Sequence, residues 1–188
     1  MDEFIHLGDL LIQSGKYEEA SFAVRLLDPF HDQFQKNHFQ KIGAWLEKGI
    51  CNWGHTDVLC GEILSKFLVK NIVSLDDLSS WRESSSKWKR RAVPVSLIDL
   101  VKSSEKIKDI KSLLDFVEPL MHDKDRFVHQ GLGWFLREAW KKQPKPVEAF
   151  LLKHKDSAPR KIYQYATEKM SKEQKERYRA AKKKSPKK

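Results

Sequence analysis

The chain has 188 residues, 40% of them hydrophobic and 33% charged, which suits one domain with a real core and a wet surface. No apolar run approaches the roughly 18 residues that span a bilayer, so neither a membrane span nor a signal peptide is expected. The net charge is +10, but residues 171–188 hold nine Lys or Arg against Glu173 and Glu176; that +7 leaves only +3 for the first 170 residues.

A basic tail is a handle for polyanions, nucleic acid first among them, and equally an ordinary solvated terminus. Cys51 and Cys60 fit neither a redox pair nor a zinc knuckle. They point to a reducing compartment, so the expected location is the cytoplasm, on the nucleoid in a bacterium.

In chain order, apolar residues recur at three and four with no period-two stretch, so the fold is expected to be all-α. Helices are expected near 2–14, 17–28, 32–48, 54–70, 75–83, 87–103, 108–122, 125–142, 146–154, 158–170 and 172–183. Gly15 and Gly49 read as stops, Pro144 and Pro146 as punctuation, and Ser157 as a cap. Short connections make neighbours antiparallel, and stacked pairs of about 40 residues follow the HEAT-repeat pattern, a solenoid with a concave basic groove. No strict sequence repeat is visible, so an irregular bundle is the structural alternative. The expected division is a helical domain over 1–170, starting almost inside a helix as if short of upstream elements, and a basic helix and tail over 171–188.

Three segments carry candidate chemistry. The first is Asn52-Trp53-Gly54-His55-Thr56-Asp57. On a wheel of about 100° per residue, Asp57 falls at the edge of an apolar arc, where a carboxylate is partly desolvated. A first-turn acid or helix cap is the plain alternative. The second segment runs from Trp81 to Arg91, where Lys87, Lys89, Arg90 and Arg91 interleave with Trp88. That mixture suits a sugar-phosphate backbone with a base nearby; it also suits core tryptophans beside a solvated basic face. The third runs from Asp125 to Lys142. Trp134 falls off its packing stripe, beside Phe127, Gln130, Arg137 and Lys141, and either meets a ligand or packs on a second helix.

Taken in order, these segments resemble the AlkD-type DNA alkylation repair proteins, alkylpurine DNA glycosylases built of HEAT-like repeats. The matching elements are Trp53 to Asp57, Trp88-Lys89-Arg90-Arg91, and Gly133-Trp134-Phe135-Leu136-Arg137-Glu138. The Tyr17-Glu18-Glu19-Ala20 and Ala158-Pro159-Arg160 helices fit the same pattern, so the likeness covers most of 1–170. The resemblance implies that Trp53 and Trp134 flank the lesion nucleotide and that Asp57 is the catalytic carboxylate. Arg91 would contact the backbone at the lesion and Arg137 a further phosphate. Lys87, Trp88, Lys89, Arg90 and Gln130 complete the expected DNA-binding set. Departures stand beside these: Gly54-His55-Thr56 replaces a more acidic and apolar stretch, and Pro94 is expected to kink the helix after Arg91.

An N3- or N7-alkylated purine is cationic and leaves readily. Cleaving its N-glycosidic bond builds an oxocarbenium-like sugar that one fixed carboxylate can stabilise. Tryptophan faces attract such a cation by ~0.5–2 kcal/mol each. The expected partner is therefore double-stranded DNA with alkylated bases, bound by a monomer. The seven histidines (His6, His31, His38, His55, His122, His129 and His154) form no ligand motif, and no glycine-rich phosphate loop appears, so no metal or other cofactor is expected. Two other readings remain: a catalytically silent DNA binder of the same fold, and a HEAT-type protein scaffold.

Overall fold

A computed structural model describes residues 1–103 and 110–179; among these there are helices and turns and no strand. The expected helix start at 108, the helix end at 183 and the lysine run of the tail lie outside the described residues.

α1 (Asp2–Gln13) and α2 (Tyr17–Leu27) form the first pair, joined through Gly15, whose φ of +73° suits a residue without a Cβ. The expected helix 32–48 is divided. A 3-10 turn, Asp28–Gln33, precedes α3 (Lys36–Gly43) and α4 (Trp45–Lys48). Phe34 and Gln35 are extended between them, and Gln35 and His38 form a reciprocal cap that restarts the helix. The expected helix 54–70 is continuous but not uniform. It runs as α5 (Trp53–Val58), a π-helical stretch Leu59–Leu64, and α6 (Ser65–Val69).

Residues Leu75–Glu83 are 3-10 helical, started by a Ser74–Asp77 capping box. The following helix steps at Leu97 into α7 (Lys87–Ser96) and α8 (Ile98–Lys102). Pro94 lies inside α7, lacking an N–H to donate, and the helix closes with a tighter Leu97 N–H to Pro94 carbonyl bond. α9 (Ile110–Val117) leads through a 3-10 turn, Glu118–His122, into α10 (Arg126–Lys142), the longest element. Pro144 opens α11 (Pro144–His154) instead of merely breaking the chain, because its fixed φ and missing N–H suit a first turn. α12 (Arg160–Ala166) starts later than the sequence suggests: Pro159 holds the cap position, and Ser157 bonds back to the His154 carbonyl. α13 (Lys172–Glu176) is capped by Ser171.

The packing order explains how a site can be assembled from distant segments. α2, α5, α7, α10 and α12 touch one another in that sequence, forming one row. Elsewhere α1 meets α3 and α4, and α9 meets α11. One joint occurs twice. A Cβ on Gly8 would lie 2.4 Å from the Trp45 ring, and a Cβ on Gly43 would lie 2.3 Å from the Trp81 ring. Each indole therefore fills a notch in the preceding element. Their N–H groups donate to Asp9 (2.8 Å) and Gln40 (3.2 Å). Both rings are fully buried, a placement worth about 3–5 kcal/mol each against alanine. The chain past 170 also packs: Tyr178 is buried near Tyr163, and Arg177 pairs with Glu148 at 2.8 Å.

Candidate DNA-lesion cleft

Four helices of the first row supply one cleft of about 390 Å³, lined by Trp53 and Asp57 from α5, Arg91 from α7, Arg126, Phe127, Gln130, Trp134 and Arg137 from α10, and Tyr165 from α12. Asn52 sets its first wall. Its side chain caps α5 by accepting from the His55 backbone N–H at 2.8 Å, which places Trp53 at the helix start with 58% of its surface exposed. Asp57 follows one turn later on the same face.

Arg91 holds Asp57 in place. Its Nε donates to Oδ1 and its Nη2 to Oδ2, both at 2.8 Å, while Nη1 donates to the Phe127 carbonyl. The guanidinium is 6% exposed and the carboxylate 15%. Arg91 makes both of these bonds although Pro94 follows it in the same helix, which steps at Leu97. Room for the arginine comes from Gly131, where a Cβ would stand 3.1 Å from Arg91 Cγ and 3.1 Å from Val95.

On α10, Phe127, Gln130, Trp134 and Arg137 recur at three and four and face the cleft together. Gln130 donates to the Tyr165 hydroxyl at 3.1 Å. Arg137 is already paired, with Glu138 at 3.1 Å and with Glu168. Burial pushes the Glu138 carboxyl up, but Lys141 and Arg137 outweigh it and hold the group below its usual value. Arg126 lines the cleft and is exposed, its guanidinium 4.9 Å from the Phe127 ring centre.

The remaining expected residues sit elsewhere. Trp88 is 8% exposed and packs on Phe127 with ring centres 4.9 Å apart, so it belongs to the core. Arg90 binds Asp123 at 2.6 Å and the Ser84 and Ser85 carbonyls, and Lys89 binds Glu47 at 3.0 Å. Lys87 approaches Asp125 only to 3.9 Å and is the most exposed of the group. Trp88, Arg90 and Lys87 border a separate recess beside α7. The basic run is thus largely matched by carboxylates, which a single sequence does not display because the partners are distant in the chain.

Sequence reasoning missed Arg126 and Tyr165 as cleft residues. Tyr165 had a faint signal: it lies two positions from the buried Tyr163, so the two rings must leave α12 on different sides. His55 does not line the cleft. Asn52 Nδ2 donates to its Nδ1 (2.8 Å), its Nε2 meets Ser21 Oγ (2.9 Å), and the Tyr17 ring lies 4.2 Å away. Ser21 Oγ in turn donates to the Tyr17 carbonyl. The donors balance with a neutral ring protonated at Nε2, in keeping with burial holding His55 below its ordinary pKa. Among the described residues, no group of three or more His, Cys, Asp or Glu is placed to hold a metal ion.

A cleft that unites two tryptophans, a fixed carboxylate and arginines agrees with one comparison in particular. The family model described as DNA alkylation repair enzyme matches residues 2–170. The chain belongs to the DNA alkylation repair enzyme family. Its role is therefore DNA repair and its partner DNA. The matched span contains every cleft residue. No curated protein matches the chain.

Proposed function

We propose that this member of the DNA alkylation repair family is an AlkD-type glycosylase, hydrolysing the N-glycosidic bond of N3- or N7-alkylated purines in duplex DNA as a monomer. The observation that carries the reading is the meeting of Trp53, Asp57 and Trp134, 81 positions apart in the chain, in one cleft.

The chemistry follows from the parts. The alkylated base is already cationic, so it leaves without protonation by the enzyme. Positive charge then develops on the deoxyribose. Each Asp57 oxygen accepts one bond from Arg91 and keeps a further lone pair, so the carboxylate can face the sugar without rotating. A carboxylate fixed beforehand stabilises a developing cation with little reorganisation, and it can orient the attacking water. Trp53 and Trp134 offer ring faces to the cationic nucleotide. Arg126 and Arg137 supply phosphate contacts, which set register and not base identity. An open cleft along a row of helices suits a lesion read on the surface of the duplex, and we take that row as the concave DNA-facing side of a helical stack.

One observation favours a second reading. Arg91 neutralises Asp57 by binding both oxygens, which weakens it as a counter-charge and would suit a protein that binds damaged DNA without cutting. Base release from methylated duplex DNA decides. Wild type is expected to release 7-methylguanine or 3-methyladenine, and Asp57→Asn to be slower by about a hundredfold or more with binding kept, a loss typical of one electrostatic stabiliser. Trp53→Ala serves as a companion, because an exposed indole can be removed without opening a core cavity. Tight binding with no base released by wild type would move the assignment to the silent binder.

A further inference from the structure

The second face of α12 carries another basic recess. Arg160, Lys161, Lys175, Tyr178 and Arg179 line a depression of about 510 Å³ between α12 and the chain that follows α13. Its charges differ from those around α7. Among the described residues, Lys161 and Lys175 form no ion pair: Lys161 donates to Gln164 at 3.1 Å and Lys175 to the Glu168 carbonyl at 3.2 Å. Arg160 donates to the Tyr178 carbonyl at 2.6 Å, which fixes the recess wall. Arg179 pairs with the exposed Glu176, a contact that contributes little in water. Tyr178 is 1% exposed, and its hydroxyl has no partner among the described residues.

The recess adjoins the cleft through one helical turn. Lys161 and Tyr165 are four apart on α12, with the ammonium 5.6 Å from the Tyr165 ring centre, and Tyr165 lines the cleft. Neighbours at that spacing are about 5–6 Å apart, and a DNA strand advances about 3.4 Å per phosphate, so a strand leaving the cleft reaches Lys161 within two nucleotides. We propose that Arg160, Lys161, Lys175 and Arg179 form a second phosphate-binding site, which grips the backbone of the same duplex on one flank of the lesion. Arg160 and Lys161 lie within the family match, and Lys175 and Arg179 lie beyond residue 170, where it ends. The proposal rests on the DNA-repair reading and assigns a sub-site to it.

The test compares wild type, Lys161→Gln/Lys175→Gln, and a control, Lys36→Gln/Lys41→Gln, that removes the same charge from exposed lysines of α3. Duplex affinity is measured against salt, with base release measured at saturating DNA. Each lost phosphate contact lowers the slope of log affinity on log salt by about 0.9, so the recess variant is expected to lose nearly two units of slope and roughly tenfold in affinity near physiological salt. Release at saturation should stay at the wild-type rate, because neither lysine lines the cleft. A recess variant that matches the control in slope and affinity overturns the second site. A wild type whose affinity ignores salt overturns the DNA reading as a whole, which is a separate outcome.

Discussion

Both oxygens of Asp57 meet the planar fork of Arg91 at 2.8 Å, a geometry an ammonium cannot copy. Breaking a fully buried pair costs about 3–5 kcal/mol, and somewhat less here because Asp57 keeps 15% of its surface in water. Arg91→Lys retains the charge but loses one of the two bonds to Asp57 and the bond to the Phe127 carbonyl. It is therefore expected to melt several degrees lower and to release base about tenfold or more slowly, with duplex affinity changed less. A variant that releases base at the wild-type rate would show that Asp57 needs no fixing. Asp57 was visible in the sequence as a carboxylate at the edge of an apolar arc. Its partner was not, because 34 positions separate them and no local pattern links α5 to α7. The tryptophans show the same limit. Trp45, Trp81 and Trp88 are core residues, Trp53 is exposed and Trp134 lies between. Periodicity set Trp134 apart from its stripe, but only the likeness to a family separated Trp53 from a core residue.

At the scale of elements, the cleft depends on how closely α10 and α12 approach. Gly133, just before Trp134, permits that approach: a Cβ there would lie 2.6 Å from the Ile162 carbonyl oxygen and 2.6 Å from Tyr165 Cβ. Real Cβ atoms do not come that near a neighbour, so Gly133→Ala must push the helices apart. Overpacking of this kind costs about 1–3 kcal/mol. The variant is expected to melt lower and to bind lesion DNA more weakly, since Tyr165 would move away from Gln130. Unchanged stability, measured by denaturant unfolding, would mean that the two helices do not pack this tightly. The helix boundaries were legible in outline and not in detail. Periodicity carries no trace of the π-helical stretch after Val58, because its buried residues Leu59, Cys60, Ile63 and Leu64 still recur at three and four. The breaks at Ala44 and Leu97 were likewise invisible, since Trp45 and Ile98 continue the apolar face on either side.

For the whole molecule, the all-helical character followed from the three-and-four spacing, while the tandem joint did not. That joint consists of one glycine and one tryptophan and recurs once, with the two glycines 35 and the two tryptophans 36 residues apart, too sparse to register as a repeat. Net charge was the least informative property, because +7 of the +10 lies in residues 171–188 and none of the cleft residues does. Titration yields a sharper global expectation. Burial holds His38, His55 and His154 below the ordinary histidine value of 6.5, although Asp2 raises His38 and Glu118 raises His154. The unfolded chain therefore takes up protons first as pH falls through 6.5, while the folded chain keeps these rings neutral. The stability these groups contribute is fully present above 6.5 and is lost as pH drops toward their folded values. Glu138 and Glu47 act lower down, where their depressed values remove stability only below the ordinary carboxylate value of 4.5. Between those limits the histidines set the slope. Melting temperature is expected to be flat from about pH 8 to 7 and to fall steadily toward about pH 5. His154→Gln, which removes one of the three rings, should make that decline shallower. A melting temperature constant down to about pH 5 would show that the unfolded chain gains no protons over the folded one.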